Sequence, residues 1–128
     1  MQKENLFEYA VIRVVPRVER EEFLNVGVVL YCASKKFLQM KFILDKERLN
    51  ALSATMDIAE IELYLEAFEL ICLGEDRGGP ISKLPIAERF RWLTATRSTV
   101  VQTSKVHPGF CSDPCDKLEQ LYTQLVLH

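Results

Sequence analysis

From Asn25 to Cys32 the chain reads Asn-Val-Gly-Val-Val-Leu-Tyr-Cys, a run without a single charge. A strand wetted on one face alternates polar with apolar residues, so a charge-free, β-branched run predicts a strand covered on both faces. Gly27 inside it predicts a bulge or a close backbone approach. Two more segments can supply neighbours. Tyr9-Ala-Val-Ile-Arg-Val-Val is equally β-prone and should stop pairing at Pro16, which has no amide hydrogen. Phe37 to Leu44 places Leu38, Met40, Phe42 and Leu44 on one side and Gln39 and Lys41 on the other, the alternation of a half-buried strand. The short polar break Ala33–Lys36 makes the second and third strands an antiparallel hairpin.

Helices follow from caps and period. Asp45 caps a brief helix through Leu49 and Leu52. Asp57 with Glu60 resembles a capping box, and Ile58, Ile61, Leu65, Phe68 and Cys72 form one stripe that ends before Gly74, so a helix is predicted over about 57–73. Asp113-Pro114 is a favourable cap and first-turn pair, and Leu118, Leu121, Tyr122, Leu125 and Val126 share one face of a helix over 113–127. Between these helices, Glu75 to Pro80 reads as a loop and Pro85 as a helix start, while Phe90–Leu93 and Thr99–Thr103 read as short strands. His107-Pro108-Gly109 reads as a turn. The expected architecture is a single α+β domain over 1–128, a mostly antiparallel sheet of four to five strands packed by two main helices.

Size and composition agree with one core. A chain of 128 residues, 48% hydrophobic, buries roughly two-thirds of its unfolded surface and needs no metal or disulfide staple. The formal charge of −2 argues against nucleic acid as a general partner, and the apolar fraction argues against intrinsic disorder. The polar start, Met1 to Asn5, and Arg13 within the first apolar run leave no signal-peptide core, and no apolar run approaches the ~20 residues that cross a bilayer. The expected location is the cytoplasm, with no membrane partner. There Cys32, Cys72, Cys111 and Cys115 stay reduced and serve as buried, inert thiols.

Charge is distributed unevenly. Residues 45–76 carry nine acidic and two basic side chains, whereas residues 77–107 carry six basic residues and Glu88 alone. Opposed patches orient partners of opposite sign, although Glu62, Glu66 and Glu69 also fit the wet face of an ordinary helix. Within the basic stretch, Arg97-Ser98-Thr99, with Gln102, Ser104 and His107 nearby, gathers donors for a phosphate or carboxylate. Arg13 shares its strand face with Tyr9, Val11 and Val15, so it needs a carboxylate, a ligand or a route to water. Glu22 is the candidate partner for a structural ion pair, and Arg17 and Asn25 lie on the same connector. The candidate anion site is therefore Arg13, Arg17, Glu22, Asn25, Arg97, Ser98 and Thr99.

Catalytic patterns are sparse. His107 and His128 are the only histidines, and His107, Cys111 and Cys115 offer three zinc ligands without a fourth. No phosphate loop, dinucleotide fingerprint or paired-carboxylate metal motif occurs, and no cofactor is called for. Arg89, Phe90, Arg91 and Trp92 have the interleaving of a base-stacking surface, but a strand with aromatics in and arginines out has the same spacing.

The segments Tyr9-Ala-Val-Ile-Arg-Val-Val-Pro, Glu-Arg-Glu-Glu-Phe-Leu-Asn-Val-Gly-Val and Arg-Phe-Arg-Trp-Leu-Thr-Ala-Thr-Arg-Ser-Thr-Val-Val-Gln resemble a bacterial family described only as a domain of unknown function, DUF3037. The resemblance runs from about Phe7 to the last helix and imports no reaction or cofactor. It implies a HipA-like kinase as a partner and singles out Arg13, Glu22, Asn25 and Arg97-Ser98-Thr99; Thr96 stands where the family pattern has Pro. The expected function is a non-catalytic accessory or interaction module that binds a protein partner or an anion. The alternative is an enzyme on a phosphorylated substrate or nucleic acid, with Arg13 and Arg97 stabilising charge and Glu22 or His107 moving protons. A homodimer closing strand edges or the Leu63, Tyr64 and Leu70 side of the long helix is a third expectation.

Overall fold

The charge-free run is β2, Leu24–Cys32, and every side chain from Val26 to Cys32 apart from Gly27 is buried, with the glycine itself enclosed. The computed structural model describes residues 4–127; Met1, Gln2, Lys3 and His128 lie outside the described residues. β2 pairs on one side with β1, Asn5–Val14, and on the other with β3, Phe37–Phe42. β1 is long enough to hold two further strands on its far side, β4 (Val101–Thr103) beside Ile12–Val14 and β5 (His107–Cys111) beside Asn5–Tyr9. All pairings are antiparallel, and the order is β3-β2-β1-β4 with β5 also on β1.

Helices cover both faces. α1, Lys46–Leu52, is capped by the Asp45 carboxylate, which accepts from the Arg48 amide at 3.2 Å, and buries Leu49. α2, Ile58–Leu73, is capped by Asp57 and closed by Gly74 in the left-handed region at φ 72°. It lies with α3, Ile86–Leu93, over Ala10, Ile12, Val14, Val29, Tyr31, Leu38 and Met40. α4, Pro114–Tyr122, starts at the Asp113 cap, widens into a π-type turn over Thr123–Leu127, and covers Phe7, Val28, Leu30, Cys32 and Cys111 on the opposite face. No described helix is long and apolar enough to cross a membrane.

Two elements differ from the sequence reading. Phe90–Leu93 belongs to helix α3, because Ile86, Phe90 and Leu93 at steps of three and four meet the α2 layer, while Arg91 turns outward to Glu8 at 3.2 Å. Four residues are too few to separate that stripe from alternation. His107-Pro108-Gly109 opens β5 rather than a turn. Val15 N–H donates to Val100 C=O at 2.7 Å and Ser104 N–H to Val11 C=O at 2.8 Å, so β1 uses its odd-numbered backbone groups on this side. Pro108, opposite Glu8, falls on the outward phase and removes no ladder bond.

Gly27 marks the point where the β1–β2 register shifts, between Ile12 and Arg13. A Cβ there would stand 2.6 Å from Lys41 O and 2.8 Å from Phe42 Cβ, so β3 can approach only because the side chain is missing. Gly27→Ala is expected to destabilise the fold by about 1–3 kcal/mol through overpacking, read as a lower urea midpoint. The thiols are not uniformly buried: Cys32, Cys72 and Cys111 are, but Cys115 in the first turn of α4 is exposed. Desolvation pushes the Cys72 thiol from 9.0 up to about 12, against the opposing pull of Arg89. The folded state thus holds that proton more tightly than the unfolded chain, and the stability it contributes is full below pH 9 and lost as pH rises toward 12. At pH 8 an aromatic disulfide reagent should modify Cys115 rapidly and the other three thiols only after denaturation, as counted by released chromophore.

Candidate functional site

The two sequence-remote segments singled out above do meet. Arg13 is paired across the sheet with Asn25 on one side and with Gln102 on the other, and the chain from Arg97 through Thr99 leads directly into β4. Their guanidinium groups nevertheless part company. Ile12 and Val14 point toward α2 and α3, so Arg13 between them points to the α4 face, whereas Arg97 packs on Phe68 and Trp92 of the α2–α3 layer. The sheet stands between the two arginines, and they form no common recess.

Arg97 is occupied by the fold. Its Nη1 donates to Leu93 C=O at 3.1 Å and its Nη2 to Trp92 C=O at 2.7 Å, with the guanidinium 4.6 Å from the Trp92 ring centre and 5.0 Å from that of Phe68. It places its charge at the negative end of α3, where the Trp92 carbonyl also accepts from Ala95 N–H at 3.3 Å. Ser98 and Thr99 are exposed; the Thr99 hydroxyl donates to Val101 C=O at 2.7 Å, and its carbonyl accepts from Gln102 Nε2 at 2.8 Å. Arg89 sits at the end of α2 in the space beside Gly74, where a Cβ would lie 2.1 Å from its Nη1.

Arg13 has no such partner. Its guanidinium lies 4.0 Å from the centre of the Phe23 ring, and Phe23 is itself 45% exposed. The expected ion pair with Glu22 does not form, because Glu22 pairs with Arg20 two residues away along the connector. Arg13 Nε is buried without a hydrogen-bond partner. Beside it, Asn25 Nδ2 donates to Leu125 C=O at 3.2 Å while Asn25 Oδ1 is buried and unpaired. Burial pushes the Arg13 pKa down, as it does that of Arg97, with no neighbouring carboxylate to oppose it. Arginine stays charged across the physiological range, so Arg13 presents a cation held over an aromatic ring.

Arg17 and Glu22 lie in a different place, an open cleft of about 290 Å³ lined by Pro16, Arg17, Arg20, Glu22, Leu52 and Ser53. The site residues thus divide into Arg13 with Asn25 on the α4 face, Arg17 with Glu22 at the connector, and Arg97–Thr99 at the end of α3. Phe23 escaped the sequence reading. Its signal was a lone aromatic directly after Glu21-Glu22 and before an apolar strand, which exposes it beside whatever β1 presents. His107 stacks on Tyr9 at 5.3 Å, and it does not gather with buried Cys111 and exposed Cys115 into a metal-binding group.

A family model described as a protein of unknown function (DUF3037) matches residues 9–126. No curated protein and no solved structure matches the chain. The division of labour between the two arginines has a measurable consequence. Arg97→Ala should lower stability by about 1–3 kcal/mol, the scale of hydrogen bonds to a charged group, whereas Arg13→Ala should change it by less than about 0.5 kcal/mol; paired urea titrations check both.

Proposed function

The chain belongs to the DUF3037 family, and from that premise we propose that it is a non-catalytic accessory module that docks a protein partner, in the cytoplasm, through Arg13 and Phe23. One observation carries this reading: a guanidinium fixed on an exposed phenylalanine, beside two unpaired buried polar atoms of opposite sense, with no carboxylate of its own. Arginine and aromatic residues are the side chains most enriched at the centres of interfaces. A carboxylate from outside would find a planar donor fork already immobilised by stacking, which lowers the ordering cost of binding.

The family resemblance makes a HipA-like kinase the partner to test first. In titration calorimetry against such a kinase, Arg13→Glu is expected to weaken binding by about 2–5 kcal/mol and Phe23→Ala by about 1–2 kcal/mol, while Arg13→Lys recovers part of the loss. Unchanged affinity in both Arg13→Glu and Phe23→Ala, with their folds intact by circular dichroism, would remove this surface from consideration.

A further inference from the structure

The other open boundary of the molecule is β3. It lies at the end of the strand order and pairs only with β2, so its outer edge carries backbone groups with no strand beside them. The phase of that edge is set by one bond, Ile43 N–H to Val26 C=O at 2.8 Å. Odd-numbered residues of β3 therefore bond β2, and the N–H and C=O groups of Leu38, Met40 and Phe42 point outward. α2 lies against β3 on one face, and α4 stands on the other, where Lys41 pairs with Glu119. The edge is consequently flanked by a helix on each face of the sheet.

At the Phe42 end lies a groove of about 430 Å³ lined by Phe42, Ile43, Leu44, Lys46, Glu62 and Glu66. Ile43 is 45% exposed, and Leu63 on the adjoining turn of α2 is 67% exposed. Among the described residues, none of Glu60, Glu62, Glu66 and Glu69 takes part in an ion pair. No residue of the basic stretch that follows in sequence pairs with them: Arg77 pairs with Glu75, Arg91 with Glu8, Arg97 is spent on α3, and Lys83 and Lys105 form no ion pair among the described residues. Two carboxylates against the single Lys46 leave the groove acidic. Lys35 and Lys36 stand at the opposite end of β3.

We propose that β3 accepts an extended segment of a partner protein as an added strand, apolar on alternate residues and carrying Lys or Arg where it passes Glu62 and Glu66. Main-chain bonds to Leu38, Met40 and Phe42 would supply affinity, and the acidic groove would select the occupant. A second copy of this chain is the poorer fit. Symmetric β3–β3 pairing sets α2 beside α2 and brings uncompensated glutamates together. This surface is separate from Arg13, so the two readings stand or fall independently.

The test uses the full chain and a short valine-rich peptide with two lysines at one end, labelled for fluorescence anisotropy. Binding should weaken at least tenfold when the lysines are replaced by glutamate, when alternate peptide amides are N-methylated, or in the exposed double variant Glu62→Lys, Glu66→Lys. Arg13→Glu should leave it unchanged. Amide exchange at Leu38, Met40 and Phe42 should be fast in the free protein and slow at least tenfold on saturation. Equal binding of the glutamate peptide, failure of the lysine peptide to bind, or unchanged exchange at those amides overturns the proposal. So does a free protein that sediments as a dimer with the same amides already protected.

Discussion

A central strand with no wettable face is the constraint on which the architecture rests. Val28, Leu30 and Cys32 enter one apolar layer while Val26, Val29 and Tyr31 enter the other, so the sheet needs α2 with α3 on one side and α4 with its terminal turn on the other. Helices of this length are marginal alone in water, so α2, α3 and α4 depend in turn on the sheet beneath them. Burying both faces leaves recognition to what remains, the edges and ends of the strands. Arg13 lies where β1 runs out from under α4, and the β3 edge lies where the two helical layers part.

The arginines show how one residue type is divided by its surroundings. Arg97 and Arg89 stand at the C-terminal ends of α3 and α2, where carbonyl dipoles favour a cation, and Arg97 donates to two of those carbonyls. Arg13 sits on a strand, which has no comparable dipole, and its compensation is an aromatic face with a weaker and less directional pull. A cation over a ring keeps donors free that a cation over carbonyls has already used. The difference follows from secondary structure.

Much of the fold was legible because caps and periods are local signals. Asp45, Asp57 and Asp113 each cap the helix that their neighbours predict, and Gly27 and Gly74 mark the close approach and helix end expected of them. The misreadings share another origin. Phe90–Leu93 is too short for its own period to decide between helix and strand, and Pro108 is tolerated in β5 only because the phase of the β1 ladder turns its nitrogen outward. Neither fact exists until the tertiary partner is in place. The candidate site failed as a unit for a related reason: parity places Arg13 on a strand face, but Arg97 lies beyond the end of a helix, where no periodicity indicates which side of the sheet its side chain will reach.

The charge asymmetry of the sequence changes meaning in three dimensions. Read along the chain, residues 45–76 and 77–107 look like complementary halves. In the folded molecule Arg77 and Arg91 turn to nearby acids while staying exposed, Arg97 and Arg89 turn to helix ends, and Lys83 and Lys105 face solvent. The glutamates of α2 take part in no ion pair among the described residues, because the stripe that buries Ile61, Leu65 and Phe68 leaves Glu60, Glu62 and Glu66 exposed. A formal charge of −2 therefore conceals a surface that keeps Glu62 and Glu66 unpaired beside one strand edge while its exposed bases are spread over several elements, from Lys35 and Lys36 to Lys83 and Lys105. On the proposal that β3 accepts a basic segment, such a surface would attract it over about a Debye length and orient it before any main-chain bond forms, so that the field and the open strand would act at successive stages of one encounter.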